Sequence, residues 1–199
     1  GLFGENVVIR KLLRNALAVV GAETRPHKWL YWSGLAFMTA VSLFTCTRAI
    51  AVSEYARRAL TFGLGNRLLG KVSVIYHGVD RRFSPNEAAV GDTPYLLAVA
   101  DIYVQKNLHT LITAMKAIRE EFPEIRLKIA GRRNDVGYYG ELKKLIDDSQ
   151  LEECVSFLGE KSVPDLIKLY RNCSVFVFPS TVETFGNPLA EAMACGAPI

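Results

Sequence analysis

Apolar runs and amphipathic segments alternate along the second half of the sequence. The apolar runs are uninterrupted rather than alternating with polar residues, so each strand needs cover on both faces, which is typical of a parallel sheet between two helical layers. Right-handed crossovers then give a doubly wound α/β domain. The predicted strands cover residues 95–100, 126–130, 155–158 and 175–178, and the predicted helices cover residues 108–121, 141–149 and 163–171.

The first half carries a shorter version of the same pattern. A β-branched run at residues 49–53 leads into a helix with Ser53 as its N-cap, and a second apolar run covers residues 72–76. Residues 81–92 are polar and lack either periodicity. We therefore predict a first domain at residues 1–83, a linker at 84–92 and a second domain at 93–199.

The ends of the sequence suggest a piece of a longer protein. It begins at Gly1 without an initiator Met, and it stops at Ile199, where a helix has ended and another strand is expected. We therefore expect both domains to be incomplete.

The net charge of +4 conceals an asymmetry between the two halves. Residues 1–83 hold 12 Lys and Arg against 4 Asp and Glu, whereas residues 84–199 hold 12 against 16. A basic, apolar first half suits an anionic membrane surface or a phosphorylated acceptor. Nucleic acid is the other partner that such charge attracts, but the sequence contains no nucleic-acid-binding motif.

One uncharged stretch, the 19 residues 29–47, is nominally long enough to span a bilayer. Several Ser, Thr and Gly residues dilute its hydrophobicity, so we favour a buried or membrane-resting helix over a true span. Trp29, Tyr31 and Trp32 at the start of this stretch are typical of a membrane interface. We predict a cytoplasmic protein, and peripheral contact with an anionic membrane is a further hypothesis.

The four cysteines give no sign of a metal site. Cys46, Cys154, Cys173 and Cys195 lack the paired spacing of metal ligands, and three of them lie in apolar runs where they would pack as small hydrophobic residues. A reducing compartment is the simplest inference.

In open parallel sheets, ligands bind beyond the carboxyl ends of the strands, so the loops that follow the strands are the places to look for chemistry. Three of these loops are unusual. Residues 101–107 include Lys106, residues 131–133 include Arg132 and Arg133, and residues 179–187 run from Pro179 to Asn187.

The last of these loops leads into a helix. Asn187 is placed to be its N-cap, Pro188 its first residue, and Gly196 follows its end. The backbone amides around Phe185, Gly186 and Asn187 would then lie at a helix N-terminus, where unpaired N–H groups and the macrodipole favour an anion or an electron-rich hydroxyl.

Two carboxylates belong to the same segment. Glu183 lies in the approach loop, and Glu191 falls about one turn into the helix, where a carboxylate can accept hydrogen bonds from a vicinal diol such as ribose. Either glutamate alone would be as easily explained by a solvated surface position. Together they are best explained by two different hydroxyl-bearing targets.

The whole string of residues 178–198 resembles the signature of retaining GT-B glycosyltransferases of family 4. Glu183 and Glu191 are separated by seven residues, as in that family, within the same Pro-Ser, Phe-Gly, Glu-Ala-Met and Gly-x-Pro framework. Further similarity lies in residues 49–53, 76–80, 129–131 and 155–159. The resemblance implies the GT-B fold, with two Rossmann-like domains, of which the first is the acceptor side and the second binds the nucleotide-sugar donor.

The resemblance also implies roles for single residues. Glu183 should contact the hydroxyls of the transferred sugar, Glu191 the ribose, and Lys106 the diphosphate, whose charge develops as it leaves. We also predict donor-binding roles for the remaining candidates of these loops: Ser180, Phe185, Gly186, Asn187, Arg132 and Arg133.

The family mechanism implied is a front-face displacement in which the leaving phosphate helps to deprotonate the acceptor. A dedicated protein base is then unnecessary, and neither His77 nor His109 is a strong candidate for one. No metal is expected, since the sequence contains no Asp-x-Asp motif and no other cluster of metal ligands.

One position departs from the commoner family pattern, which has Gly-Arg five residues before the lysine. This chain has Ala100 and Asp101 there, so one phosphate-binding cation is missing. Whether Arg132 or Arg133 replaces it is left open by the sequence.

The sequence thus predicts transfer of a hexose from a nucleoside-diphosphate sugar to a saccharide or lipid-linked acceptor, as in polysaccharide biosynthesis. GDP and UDP are the first nucleotides to test, with mannose or glucose. The alternatives are a nucleotide-sugar-binding fragment without transferase activity, and a GT-B-like epimerase or a relative of glycogen phosphorylase. The string from Glu183 to Glu191 disfavours the last two.

Overall fold

A computed structural model of the chain describes residues 37–61, 66–85 and 94–199. The chain divides into two compact units between His77 and Gly78, six residues before the predicted domain boundary. The difference has a physical cause, because Phe83 is buried in the core of the second unit and Val79 packs against it. Ser84 belongs to this unit too, since its carbonyl oxygen accepts hydrogen bonds from Arg171. Most of the predicted linker, residues 86–92, lies outside the described residues.

The first unit contains a helix described over residues 37–45 (α1) and a two-stranded parallel sheet. Its strands are β1 (Ala49–Ala51) and β2 (Val72–Val74). Strand β1 ends one residue before the predicted end, which precedes the Ser53 N-cap, and β2 is two residues shorter than predicted. Between them lie helices α2 (Glu54–Thr61) and α3 (Asn66–Leu69). The hydroxyl of Ser53 accepts a hydrogen bond from the Ala56 amide at 3.0 Å, which confirms the predicted N-cap.

Lys71 caps the carboxyl-terminal end of α1. Its ammonium donates to the carbonyl oxygens of Phe44 and Cys46 at 3.0 Å each. A cation at this end of a helix satisfies carbonyl groups that lack intrahelical partners and complements the macrodipole. Of the residues in the three described ranges, none forms a helix long and apolar enough to cross a membrane. Trp29, Tyr31 and Trp32 lie outside those ranges, so the predicted membrane contact stays a prediction.

The second unit is built on a four-stranded parallel sheet. Helices connect the strands, as the alternation in the sequence predicts. The strands are β3 (Tyr95–Val99), β4 (Arg126–Ala130), β5 (Val155–Gly159) and β6 (Val175–Phe176), and their order across the sheet is β5-β4-β3-β6. The helices are α4 (Leu108–Glu121), α5 (Val136–Asp148), α6 (Val163–Asn172) and α7 (Asn187–Ala194). A 3₁₀ turn covers Val104–Lys106.

Both faces of this sheet are covered. Leu96 of β3 belongs to a buried cluster with Ile112 of α4 and Leu142 of α5. The next residue, Leu97, points to the opposite face and packs in a second cluster with Tyr170 of α6. This alternation confirms the predicted sheet between two helical layers.

Several predicted boundaries of the second unit were wrong, among them three in α5, β6 and α7. Helix α5 begins at Val136 rather than at residue 141, because Asp135 caps it by accepting a hydrogen bond from the Tyr138 amide at 3.0 Å. Strand β6 ends at Phe176 rather than at residue 178. Asn187 is the first residue of α7 and not its N-cap, since Gly186 occupies the cap position with φ 87°.

All four cysteines lie in the described part of the chain, and all four are free thiols. Cys154, Cys173 and Cys195 are buried. Burial raises the pKa of Cys173 to about 11, so this residue packs as a neutral thiol at neutral pH.

Candidate functional site

The loops that follow β3 and β6 are fastened to each other. The two strands are neighbours in the sheet, so their carboxyl ends lie side by side. The amide of Thr181 donates to the Gln105 carbonyl oxygen at 3.0 Å, and the side-chain amide of Asn107 donates to the Pro179 carbonyl oxygen at 3.2 Å. Asn107 adopts a left-handed conformation with φ 53°, which asparagine tolerates better than most residues. This fastening brings Lys106 to the loop that carries Glu183.

Lys106, Ser180 and Glu183 meet at one carboxylate oxygen. The Lys106 ammonium forms an ion pair with Oε1 of Glu183, and the Ser180 hydroxyl donates to the same oxygen at 2.8 Å. The side chains of Lys106 and Glu183 are 22% and 23% exposed, so the pair is partly covered yet accessible to a ligand. Three of the predicted site residues are thus brought together from two separate loops.

Glu191 lies in the second turn of α7, where it is half-buried. Its Oε2 accepts a hydrogen bond of 2.9 Å from the hydroxyl of Tyr170. Burial raises the pKa of Glu191, and the hydrogen bond from Tyr170 partly opposes that rise. An ionised carboxylate has about four acceptor positions, so this contact leaves capacity for further hydroxyl donors.

Tyr170 was missed by the sequence analysis. It occupies an apolar position in the last turn of α6, which the helical periodicity explains by core packing alone. Its partner Glu191 is 21 residues further along the chain, and no spacing rule links the two positions.

The three remaining predicted residues of this loop, Phe185, Gly186 and Asn187, are consecutive at the start of α7. Phe185 is half-buried, Gly186 is buried and Asn187 is exposed. Gly186 has φ 87°, and a Cβ at this position would lie 3.5 Å from the ring of Phe178. The positive φ favours glycine and turns the chain into the helix.

The loop after β4 contains the two predicted arginines, and each has a partner within the protein. Arg132 donates from its backbone amide to Oδ1 of Asp101 at 3.0 Å and from Nη2 to Oδ2 at 2.8 Å. Asn134 donates to the same Oδ2 at 3.0 Å. The Arg133 guanidinium lies over the ring of Tyr139, 4.5 Å from its centroid.

Asp101, which stands where the commoner pattern has an arginine, is therefore neutralised by Arg132. Burial raises the pKa of Asp101, but the hydrogen bonds and charge of Arg132 outweigh that effect and hold the pKa below its usual value. Among the described residues, the hydrogen bonds and ion pairs of Lys106 and Glu183 involve neither arginine. The structure thus joins Lys106, Ser180 and Glu183 but does not join Arg132 or Arg133 to them.

A cavity of about 310 Å³ lies between the 3₁₀ turn and helices α4 and α5, and none of its lining residues is a predicted site residue. His109 lies at its edge, with Nδ1 2.9 Å from the hydroxyl of Tyr138. Within residues 37–61, 66–85 and 94–199, no group of three His, Cys, Asp or Glu side chains is placed to hold a metal ion.

Residues 80–199 match the family described as Glycosyl transferases group 1. The chain belongs to this family. Every predicted site residue of this group 1 glycosyltransferase chain lies inside the matched segment, whereas the first unit lies outside it.

Similar proteins agree with the family. An uncharacterized glycosyltransferase of Methanocaldococcus jannaschii is 32% identical over 152 residues, covering 76% of this chain and 39% of that protein. The O-antigen chain mannosyltransferase RfbU of Salmonella typhimurium is 30% identical over 165 residues, covering 82% of this chain and 44% of its own length. The group 1 chain therefore spans less than half the length of these two relatives.

Solved structures agree on the fold. The Anabaena protein HepE, crystallised with UDP and glucose, superposes with a TM-score of 0.73 at 22% identity, covering 96% of this chain and 56% of that one. The predicted GT-B fold class, with its parallel-sheet α/β architecture, is confirmed for this group 1 glycosyltransferase chain.

Proposed function

We propose that the protein represented by this chain transfers a hexose from a nucleoside-diphosphate sugar to a saccharide or lipid-linked acceptor, with retention of the anomeric configuration. The observation that carries the proposal is the meeting of Lys106, Ser180 and Glu183 beside the loop that leads to Glu191. The cation from the loop after β3, together with the hydroxyl and two carboxylates of residues 180–191, suits the three parts of such a donor: diphosphate, sugar and ribose.

Lys106 is proposed to hold the diphosphate. An ammonium aimed at the leaving nucleoside diphosphate stabilises charge that develops in the transition state, and loss of such a donor typically lowers the rate by about 10²- to 10³-fold. Because its side chain is only 22% exposed, its charge is screened less by solvent than that of a surface lysine.

Glu183 is proposed to bind hydroxyls of the transferred sugar. Its Oε1 accepts from Lys106 and Ser180; a sugar hydroxyl can take the place of either group as the donor to Glu183, and a phosphate can pair with the Lys106 ammonium instead. Binding of the nucleotide sugar would then exchange one set of hydrogen bonds for another without leaving the charge of Lys106 or of Glu183 unpaired.

Glu191 is proposed to accept hydrogen bonds from the ribose, while the backbone amides at Phe185, Gly186 and Asn187 face polar groups of the donor. A carboxylate that binds a diol gains from being partly buried, because hydrogen bonds are electrostatically stronger where water is excluded. Retention is supported by the resemblance of residues 178–198 to the retaining family, and no metal is included in the proposal.

UDP and GDP both stay candidates for the nucleotide. HepE was crystallised with UDP and with UDP-glucose, whereas RfbU is described as a mannosyltransferase of the O-antigen chain. The name of RfbU also supports the proposal that the acceptor belongs to polysaccharide biosynthesis.

The test is isothermal titration of this chain with UDP, GDP, ADP and their sugar conjugates, with EDTA present throughout. We expect one nucleotide to bind selectively, and Glu191→Ala to weaken it by about 10-fold or more, since hydrogen bonds to a charged group contribute about 1.5–3 kcal/mol. Glu120→Ala, an exposed glutamate of α4, is the matched control and should leave the affinity unchanged.

Binding that is unaffected by Glu191→Ala, or that requires a divalent metal, would overturn the proposal. Where turnover is measurable, proton NMR of the first hexose released from an α-linked donor reports the stereochemistry. The α anomer is expected, and the β anomer would contradict retention.

A further inference from the structure

Tyr170 is enclosed in the core of the second unit. It is 0% exposed, and its ring makes edge contacts with Phe83 and Phe176 at centroid distances of 6.0 and 5.5 Å. A fully buried phenol needs a partner for its hydroxyl, because an unsatisfied polar group in the core is costly. Here that partner is Oε2 of Glu191, at 2.9 Å.

The direction of this hydrogen bond follows from the chemistry of both groups. Burial raises the pKa of Tyr170, and the neighbouring charge of Glu191 raises it further, so the phenol keeps its proton and donates it. The rings of Phe83 and Phe176 fix the tyrosine, whereas a glutamate in a helix otherwise has three rotatable side-chain bonds. The rigid partner therefore orients the flexible one.

We propose that Tyr170 is a positioning residue, which holds one oxygen of Glu191 so that the other oxygen is presented to the ribose hydroxyls of the donor. This inference rests on the proposed function, in which Glu191 binds ribose. Tyr170 itself is enclosed and does not touch the ligand.

The consequence is selectivity for ribose over a sugar that lacks the diol. A carboxylate with a fixed orientation binds hydroxyls without first losing the entropy of its free rotation, which is the advantage of a preorganised site. Without the phenol, Glu191 would still be present but would adopt several orientations. Affinity for the ribose hydroxyls should then fall by roughly three- to tenfold, the equivalent of one net hydrogen bond.

The experiment compares Tyr170→Phe with Tyr95→Phe in the same chain. Tyr95 is a matched control, because its buried hydroxyl donates to the Leu169 carbonyl oxygen at 3.0 Å in the same hydrophobic cluster and does not contact Glu191. Each protein is titrated with UDP and with 2′,3′-dideoxy-UDP, or with the GDP pair if GDP binds more tightly. The quantity compared is the affinity for the ribonucleotide divided by the affinity for the dideoxynucleotide.

Tyr170→Phe should lower this ratio by roughly three- to tenfold, through weaker binding of the ribonucleotide, and should leave the dideoxy affinity nearly unchanged. Tyr95→Phe should leave the ratio unchanged, even if it lowers the melting temperature. In a Glu191→Ala background, Tyr170→Phe should have no further effect on the ratio.

Two outcomes separate the inference from the proposed function. If Glu191→Ala lowers the ratio but Tyr170→Phe does not, Tyr170 is only a core residue and the inference is wrong. If Glu191→Ala leaves the ratio unchanged, the ribose role of Glu191 is wrong.

A crystal structure of the native chain with UDP gives a second measurement that needs no variant. It should show Tyr170 bonded to one oxygen of Glu191 and ribose bonded to the other. Ribose contacts without the tyrosine hydrogen bond would overturn the inference.

Discussion

Two groups of charged side chains at the carboxyl ends of the strands in the second unit differ in their partners and in their exposure. On the β6 side, defined by Lys106, Ser180, Glu183 and Glu191, the carboxylates accept from an ammonium and from two hydroxyls, and the Lys106 side chain is 22% exposed. On the β4 side, defined by Asp101, Arg132, Arg133 and Asn134, the Arg132 side chain is 58% exposed and is bound to Asp101 through several hydrogen bonds.

This difference distinguishes a candidate binding site from a set of charges that holds two loops together. The β6 side keeps polar groups where solvent screening is reduced, with contacts that a ligand can take over. The β4 side uses its charges to hold two loops together, and an exposed ion pair of this kind contributes little to stability. The comparison supports the proposal that the β6 side recognises the donor and that the β4 side has a structural role, and three experiments test this division.

The largest effect on stability is expected at Gly131, in the loop after β4, where the backbone lies close to the backbone of Ala100. A Cβ there would lie 2.0 Å from the carbonyl oxygen of Ala100, so Gly131→Ala must push two strand ends apart. We expect a loss of about 3 kcal/mol or more in the free energy of unfolding, measured by urea denaturation.

Gly140→Ala is the control, because a Cβ at this position in α5 meets nothing within 4 Å. It should be neutral or stabilise the chain by up to about 1 kcal/mol through higher helix propensity. Equal stabilities for the two variants would show that the β4 side tolerates rearrangement.

A smaller effect distinguishes the cations of the two sides. Lys106→Ala should weaken nucleoside-diphosphate binding by about 10- to 100-fold, because a hydrogen bond to a charged group contributes about 1.5–3 kcal/mol. Arg132→Ala should weaken it by less than about threefold, since that guanidinium is exposed and already bound to Asp101.

Isothermal titration checks both values, and Lys116→Ala, an exposed lysine of α4, should leave the affinity unchanged. The reverse order, with Arg132→Ala the more damaging, would place the diphosphate on the β4 side. The sequence prediction that Arg132 binds the donor would then be correct.

The smallest effect concerns the pH dependence of the Asp101–Arg132 pair. The pKa of Asp101 is lower in the folded chain than its usual value of 3.8, so its ionised form stabilises the fold above that pH. That contribution should disappear as the pH falls through the lowered folded pKa.

Urea denaturation of the native chain and Asp101→Asn checks this at neutral pH and at a pH well below 3.8. A small difference in favour of the native chain should be present at neutral pH and lost in acid. A difference that grows in acid would mean that Asp101 is not stabilised in its ionised form.

The sequence predicted the elements of the second unit well where local patterns determine them. Helix Leu108–Glu121 and strand Arg126–Ala130 have the predicted bounds, because a helical period and an uninterrupted apolar run are both local signals. The start of α5 was predicted five residues late, since two glycines and two tyrosines conceal the helical pattern after the cap Asp135. Asn187 was assigned as an N-cap from its residue type, but the positive φ of Gly186 takes that position.

The sequence predicted which loop residues belong to the candidate site, but it did not predict which side chains contact each other. The resemblance of residues 178–198 predicted Glu183 and Glu191, and the structure brings Lys106 to Glu183 although the two are 77 positions apart in the sequence. The pairs of Asp101 with Arg132 and of Tyr170 with Glu191 depend on which strands and helices are neighbours, and a pattern along the chain does not encode that. The roles of all these residues in donor binding stay predictions.

The most direct test of the central claim is a crystal structure of this chain with the nucleoside-diphosphate sugar that binds most tightly. The account predicts the diphosphate at Lys106, the sugar hydroxyls at Glu183 and the ribose at Glu191, with the Asp101–Arg132 pair intact. A donor bound through Arg132 after that pair has opened, or one bound in the cavity beside His109, would contradict it.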